Sequence, residues 1–238
     1  MQTDGKVLVG MNGVAFEGGN AYLARLNADG TRDRSFRGSP NGPVNEIAVL
    51  PNGQLLIAGG LTSPKPKLAR LNADGTVDST FKPQPAPNGT ILDLVVLPDG
   101  RILIAGGFTS VGGRNRNYVA RLNPDGSLDD TFDADLGPND QVKAIAVQPD
   151  GGVIIGGMFA AVNGQPRAYL ARLRSDGTRP TFAAPTLLAT GDLGMKLFGN
   201  AQATYALESS SDLLIWVPAW TNTFTGTSWE WIEPNAGT

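Results

Sequence analysis

The amino-acid sequence predicts an all-β fold built from repeated units of four short antiparallel strands. The first observation is a block that recurs four times, as YLARLNADGTRDRSF (22–36), KLARLNADGTVDSTF (67–81), YVARLNPDGSLDDTF (118–132) and YLARLRSDGTRPTF (169–182). Its copies start roughly 50 residues apart, which is the period of β-propeller blades. The second observation is that the chain has 31 Gly and 17 Pro in 238 residues and no apolar stripe at helical spacing. The sequence therefore predicts a β-propeller of about four blades.

Each unit also carries a hairpin signal in phase with the first block. Apolar runs stand on both sides of a Pro-Asn-Gly or Pro-Asp-Gly turn, and the second run ends on glycines, as in IAVLPNGQLLIAGG (47–60). Asn-Gly and Asp-Gly supply the positive φ values that two-residue hairpin turns require. The Ala-Arg-Leu block then predicts a third strand, and the segment that ends in Phe predicts a fourth. The predicted four-stranded blades are residues 4–36, 44–81, 91–132 and 142–182.

The first predicted blade starts at the turn between its first two strands, because TDGKVLVGM (3–11) aligns with PNGQLLIAGG (51–60). We therefore expect this blade to lack its inner strand and to leave an unpaired edge. Unpaired edges pair readily with other chains, so self-association through this edge is predicted. In the other blades, the glycines that end the second strand, such as Gly59 and Gly106, predict a bulge or a close backbone approach.

A change of composition after Phe182 predicts a second domain at 183–238. All four tryptophans lie there, at Trp216, Trp220, Trp229 and Trp231. Apolar and polar residues alternate at 204–208 and again at 229–231, which predicts short strands with one apolar face. We expect a small β-sandwich-like segment, which would be marginally stable alone at this length.

Two resemblances to known families extend these predictions. Residues 1–182 resemble the delta-60 repeat β-propellers of large bacterial secreted or surface proteins, on stretches such as LARLNADGTVDSTF (68–81) and IAVQPDGGVIIGGMF (145–159). This resemblance implies a propeller scaffold with an extracellular or cell-surface location and poorly defined ligands. Residues 183–238 resemble, more loosely, the small C-terminal immunoglobulin-like modules of secreted planctomycete and verrucomicrobial proteins. Fold carries over from such resemblances better than function does.

Composition excludes several classes of function. The sequence contains neither cysteine nor histidine, which removes thiol nucleophiles, disulfides and the commonest general base. The formal net charge of −3 argues against a nucleic-acid partner. No apolar run reaches the roughly 20 residues of a membrane span. The sequence predicts no cofactor apart from the calcium considered below.

Glu46 and Asp93 are the candidate catalytic residues, because they occupy equivalent places on the inner strands of successive blades. Two carboxylates at a suitable separation could hydrolyse a glycosidic bond. The next copy has Ala144 at this position, beside Lys143. We therefore favour solvated polar groups lining the channel over an active site.

The Asn-x-Asp-Gly turns offer oxygen atoms at alternate positions, as calcium loops do. They lack the distal Glu of such loops, and Asn, Asp and Gly also favour hairpin turns through local hydrogen bonds. We favour the turn interpretation and keep calcium as the alternative. The candidate ligands are Asn27, Asp29, Asp33, Asn72, Asp74, Asp78, Asn123, Asp125 and Asp129.

One arginine recurs per blade, at Arg25, Arg70, Arg121 and Arg172. A ring of arginines could bind an anion. We favour structural pairing, because three blades carry an Asp eight residues later on the adjacent predicted strand, and opposite charges across strands stabilise a sheet. The fourth blade lacks this Asp.

The tryptophans and the loops are the candidate binding sites. Trp220, Trp229 and Trp231 could stack on sugar rings, although Trp216, Trp229 and Trp231 match core positions of the immunoglobulin-like family. The loops between blades vary more than the strands, and variable loops on a rigid scaffold often bind partners. The predicted function is a non-catalytic extracellular interaction module for a protein or a cell-surface glycan. The alternatives are a carbohydrate-binding surface protein and a polysaccharide-acting enzyme.

Overall fold

The computed structural model is made of β-strands, turns and loops, and its described residues contain no α-helix. The all-β prediction is confirmed. The described residues are 2–16, 19–63, 65–83, 85–132, 137–149, 151–173, 181–182, 186–187, 193–198, 204–209, 217–223 and 228–233. The chain divides into two compact units, Met1–Gly177 and Thr178–Thr238.

The first unit contains four blades in chain order. Blade 1 has β1 (Val7–Phe16) and β2 (Gly19–Leu26); blade 2 has β3 (Val44–Val49), β4 (Leu55–Gly59) and β5 (Leu68–Leu71); blade 3 has β6 (Ile91–Val96), β7 (Ile102–Gly106), β8 (Ser110–Val111), β9 (Arg114–Asn115) and β10 (Val119–Leu122); blade 4 has β11 (Val142–Val147), β12 (Val153–Gly157), β13 (Ala161–Val162), β14 (Gln165–Pro166) and β15 (Leu170–Leu173). In blades 3 and 4 the small pairs β8–β9 and β13–β14 form separate hairpins in the loop between the second and third strands. Blade 1 has no inner strand in the described residues, as its sequence predicts.

Blades 2, 3 and 4 are antiparallel sheets with three strands each, in the orders β3-β4-β5, β6-β7-β10 and β11-β12-β15. The fourth strand that the sequence predicts is a single bridge, Leu71↔Val77 in blade 2 and Leu122↔Leu128 in blade 3. The chain leaves the ladder after this bridge because Asp78 accepts a hydrogen bond from the Thr80 N–H in a local turn. Blades 2 and 3 are therefore three strands wide with a short bridged outer segment.

Each inner strand contains a bulge near its start, between Val44 and Glu46 in blade 2 and between Ile91 and Asp93 in blade 3. The facing residue of the second strand is a glycine whose missing side chain makes room for the bulge. A Cβ on Gly106 would stand 2.1 Å from the Thr90 carbonyl oxygen. The glycines that end the second strand thus mark both a bulge and a close backbone approach.

The hydrophobic core of the first unit lies between blades. Each blade has a forward face, which packs on the next blade, and a backward face, which packs on the previous one. In blade 2, Leu56 and Leu68 on the forward face pack against Ile102 and Ile104 on the backward face of blade 3. The same arrangement joins blade 1 to blade 2 and blade 3 to blade 4. This alternation follows from the period of two along a strand.

The second unit contains six short strands: β16 (Thr181–Phe182), β17 (Thr186–Leu187), β18 (Leu193–Phe198), β19 (Thr204–Ser209), β20 (Val217–Thr223) and β21 (Ser228–Glu233). β18 pairs with β16, β17 and β21, whereas β19 pairs with β20. The strands predicted around 204–208 and 229–231 are therefore present. Phe182, which the sequence aligns with the last residue of a blade, pairs with Leu197 of β18 instead.

Candidate functional site: the repeated arginine clamp and the loop face

The recurring arginine of the third strand forms the same contacts in three blades, and we call this group the arginine clamp. Its Nε donates to the Asp eight residues later, and its guanidinium lies over the ring of a Phe. The Nε–Oδ2 distances are 2.9 Å for Arg25 and Asp33, 2.7 Å for Arg70 and Asp78, and 2.7 Å for Arg121 and Asp129. The guanidinium carbon stands 4.7, 4.9 and 5.0 Å from the ring centres of Phe36, Phe81 and Phe132. The predicted pairing of arginine and aspartate is confirmed in these blades.

The clamp also reaches the next blade, which the sequence did not predict. Arg25 Nη1 donates to the Ala73 carbonyl oxygen at 2.5 Å, and Arg70 Nη1 donates to the Pro124 carbonyl oxygen at 2.7 Å. A backbone bond runs beside each of these, such as Lys82 N–H to the Asp125 carbonyl at 2.8 Å. The turn that follows the third strand of one blade is thus held by the clamp of the blade before it.

The aspartate of each clamp is held by several donors. Asp33 also accepts from Lys6 Nζ, Asp78 from Gln54 Nε2, and Asp129 from Arg101 Nη1. Burial raises the pKa of Asp129. Hydrogen bonds from Thr131 and Arg121 outweigh this effect and lower the pKa to about 2. Hydrogen bonds from Lys6 and Ser35 lower the pKa of Asp33 well below its usual range. The carboxylates are therefore ionised at neutral pH and stabilise the blade.

The sequence of blade 4 lacks the aspartate of the clamp. Gly152 stands where the other blades have Lys6, Gln54 or Arg101, and the sequence has no Asp eight residues after Arg172. Arg172 Nε donates instead to Gln148 Oε1 at 2.6 Å. Its guanidinium lies where a side chain at position 152 would stand, since a Cβ there would be 2.5 Å from Nη2.

In the aspartates predicted as calcium ligands, the Oδ1 atoms accept hydrogen bonds within the local turns. Asp74 Oδ1 accepts from the Thr76 N–H and hydroxyl at 2.9 and 2.6 Å, and Asp78 Oδ1 accepts from Thr80 at the same distances. Asp29, Asp33, Asp125 and Asp129 form equivalent bonds. The amide groups of Asn27, Asn72 and Asn123 donate to the Thr31, Thr76 and Ser127 hydroxyls. Within the described residues no three acidic side chains gather to hold a metal ion, and calcium binding stays a prediction.

Glu46 and Asp93 lie on neighbouring inner strands, close enough for their charges to interact. Burial raises the pKa of Glu46, a hydrogen bond from the Ile47 N–H lowers it, and the charge of Asp93 raises it further. Asp93 Oδ2 accepts from the Ile145 N–H of blade 4 at 2.7 Å. One carboxylate of the pair therefore ties two inner strands together. Their catalytic role stays a prediction.

The tryptophan candidates lie in the second unit. Trp220 is in β20, opposite Leu207, whereas Trp229 and Trp231 are in β21 and pair with Leu197 and Met195. Trp229 and Trp231 share one face of their strand because they are two residues apart. Their side chains and the whole of Trp216 lie outside the described residues. The carbohydrate platform stays a prediction.

The loops between second and third strands, residues 60–67, 107–118 and 158–169, form what we call the loop face. They lie at the end of each blade opposite the hairpin turns. Asparagines in the segments between blades cap them: Asn88 Oδ1 accepts from the Thr109 and Ser110 N–H groups at 2.8 and 3.0 Å, and Asn41 and Asn139 act in the same way. These segments differ in length and in most of their residues, but a Pro-Asn pair recurs at 40–41, 87–88 and 138–139.

Each of these loops ends on a residue in a left-handed conformation. Lys67, Tyr118 and Tyr169 have φ of 64°, 64° and 66°, a conformation that costs a non-glycine residue roughly 1–2 kcal/mol. Their backbone groups compensate, since the Tyr118 N–H donates to the Phe108 carbonyl and its carbonyl accepts from the Gly106 N–H. The last residue of each loop is therefore held by backbone hydrogen bonds through both its N–H and its carbonyl group.

No described helix is long or apolar enough to cross a membrane. Comparison with known proteins places these features in a family. No curated protein matches the chain. A solved structure, described as the extracellular domain of the putative hybrid two component system BT3049 from B. thetaiotaomicron, has a TM-score of 0.46 and 16% identity, over 81% of this chain and 24% of that chain. The chain thus spans about a quarter of that protein's length. The family described as "Domain of unknown function (DUF5122) beta-propeller" matches residues 2–36, 50–81, 97–132 and 148–179. The chain belongs to this β-propeller family.

Proposed function

We propose that the chain is a non-catalytic interaction module of an extracellular bacterial protein, and that its loop face binds an acidic partner surface. The observation that carries the proposal is the charge of the three loops. They contain Lys65, Lys67, Arg114, Arg116 and Arg167 and no acidic residue, in a chain with a net charge of −3. Arg114 and Arg116 also pair with Asp130 at 3.2 and 3.4 Å, so the loop face carries an excess of positive charge rather than cations alone. Such an excess on one face attracts partners of the opposite sign.

The contacts of the repeated polar residues support the same proposal. Arginines, aspartates and asparagines that recur from blade to blade hold turns, loops and neighbouring blades. What differs between blades is the loop face, where Arg114 is 64% exposed and lies 3.2 Å from Asp130. Rigid scaffolds with variable loops are common binding surfaces. The extracellular location rests on the resemblance of the repeats to exported propellers.

The absence of catalysis is supported by composition. Without His or Cys, an enzyme built on this chain would depend on carboxylates. The best placed of these, Asp93, accepts a backbone hydrogen bond from the next blade. Asp93 therefore has a structural partner that explains its position.

Binding to two acidic probes, immobilised heparin and immobilised poly-glutamate, tests the proposal. We expect retention that falls with added salt, because charges on a surface are screened at high ionic strength. A variant with Lys65→Glu, Arg114→Glu and Arg167→Glu should lose retention. The matched control reverses three exposed cations in the outer segments of blades 1 and 2, away from the loop face, Arg34→Glu, Arg37→Glu and Lys82→Glu, which changes the net charge equally. An equal loss of retention in both variants would show that retention depends only on net charge, which would contradict the proposal.

A further inference from the structure

The forward face of blade 4 exposes apolar side chains that other blades bury. Leu68 in blade 2 and Val119 in blade 3 occupy one position of the forward face, and they are 0% and 1% exposed. Leu170, at the same position in blade 4, is 65% exposed. Its neighbours Tyr169 and Met158 are 69% and 54% exposed. An apolar group of this kind, clustered on one face, marks an interaction surface.

The backward face of blade 1 exposes the complementary position. Leu55, Ile102 and Val153 begin the second strands of blades 2, 3 and 4, and each is at most 2% exposed against the previous blade. Val7 begins the second strand of blade 1 and is 37% exposed. Ala24, on the same face, is 3% exposed, so the exposure of this face is concentrated at Val7. The chain therefore presents one exposed forward face and one partly exposed backward face.

Within the chain these two kinds of face meet three times. Forward residues of blades 1, 2 and 3 pack against backward residues of blades 2, 3 and 4, and the clamps of blades 1 and 2 reach over the same joints. The interface is thus repeated, apolar and formed between quasi-equivalent residues. We propose that the forward face of blade 4 binds the backward face of blade 1 in a second copy of this chain.

Such a contact is heterologous, since the two copies use different surfaces, and it leads to a ring or an open chain of copies. It differs from pairing at the unpaired edge of β1, because it uses side chains of the blade faces rather than backbone groups of a strand. Substitution of Leu170 would leave an edge contact intact. The proposal also stands apart from the loop face, which lies on different residues.

Light scattering with face variants tests the proposal. The wild-type chain should have a mass above that of a monomer that rises with concentration. Leu170→Asp and Val7→Asp should each give a monomer, because a charge would be buried in the joint. Val77→Asp is the matched control: Val77 is 42% exposed but lies in the outer bridged segment, and this variant should associate like the wild type. Both substituted face residues are partly exposed, so thermal unfolding should show that the variants remain folded.

Mixing the two monomeric variants gives the decisive result. Leu170→Asp keeps an intact blade 1 face and Val7→Asp keeps an intact blade 4 face, so the mixture should form a dimer and nothing larger. A monomeric wild-type chain would overturn the proposal, as would an unchanged mass for Leu170→Asp. A mixture that stays monomeric would show that the two faces do not bind each other and would also overturn it.

Discussion

Arg70 lies in blade 2, but its Nη1 donates to the carbonyl oxygen of Pro124 in blade 3 at 2.7 Å. The same guanidinium pairs with Asp78 and covers the ring of Phe81. One side chain therefore joins a strand, a turn and the neighbouring blade. Because a planar guanidinium has five N–H donors in a fixed arrangement, it can serve these partners together.

The clamp should matter most where it is complete and buried. The side chains of Arg121 and Asp129 are each 6% exposed. Arg121→Ala should lower the free energy of unfolding by about 3 kcal/mol, because it removes the closest cation of a buried carboxylate, which keeps only Arg101 at 3.2 Å. Arg172→Ala in blade 4 should cost about 1 kcal/mol or less, since that arginine is exposed and bonds to an amide. Urea unfolding measures both, and similar losses would contradict the structural role of the clamp.

Acid should weaken the protein through the same aspartates. The pKa of Asp129 in the folded protein is about 2, below the value of about 3.9 of an unfolded chain. Its stabilising contribution is therefore present above about pH 4 and is lost as the pH falls toward 2. We expect the Tm to fall steeply over this range. Asp129→Asn should have a lower Tm at pH 7 and a shallower fall, and a slope identical to that of the wild type would contradict this assignment.

The bulge glycine should not tolerate a side chain. In Gly106→Ala the new Cβ would stand 2.1 Å from the Thr90 carbonyl oxygen, so backbone must move, at a cost of about 1–3 kcal/mol. Gly164→Ala is the comparison, because Gly164 has φ +73° and a Cβ there would have no atom within 4 Å beyond its chain neighbours. It should cost roughly 1–2 kcal/mol from the left-handed conformation alone. Thermal unfolding that ranks Gly164→Ala as the more damaging change would contradict the role of the bulge.

The asparagine cap should depend on its carbonyl oxygen. Asn88→Ala removes the acceptor for the Thr109 and Ser110 N–H groups and should lower the free energy of unfolding by about 1 kcal/mol. Asn88→Asp keeps an acceptor oxygen and loses only the donor to the Thr109 hydroxyl, so it should be closer to the wild type. Amide exchange at Thr109 and Ser110 measures the effect, and faster exchange in both variants alike would contradict it.

The sequence predicts the contacts that are close along the chain. Arg70 and Asp78 are eight residues apart on either side of a turn, so period and charge were sufficient to pair them. The Arg70–Pro124 bond spans 54 residues, and it depends on how one blade stacks on the next, which no local pattern encodes. The Pro-Asn pairs repeat in the sequence, but the segments between blades that contain them differ in length. The repeat is therefore hard to recognise without the structure.

The fourth strand shows a different limit. The segment ending in Phe81 has the composition of a strand, but the turn bond between Asp78 and Thr80 takes the chain out of the ladder after one bridge. In blade 4 the Asp is absent from the sequence, and Phe182 pairs with Leu197 in the second unit. Local side-chain bonds to the backbone thus compete with strand propensity.

Hydrogen exchange in Arg70→Lys tests the central claim most directly, that the clamps of blades 1 and 2 hold the turn of the following blade. A lysine keeps the charge but cannot donate to Asp78 and Pro124 in the same geometry. We predict faster exchange at Lys82, whose N–H bonds to Asp125, and in the turn at 123–127 of blade 3. Exchange in blade 1 should stay unchanged. Faster exchange confined to residues 68–81 of blade 2 would contradict the claim.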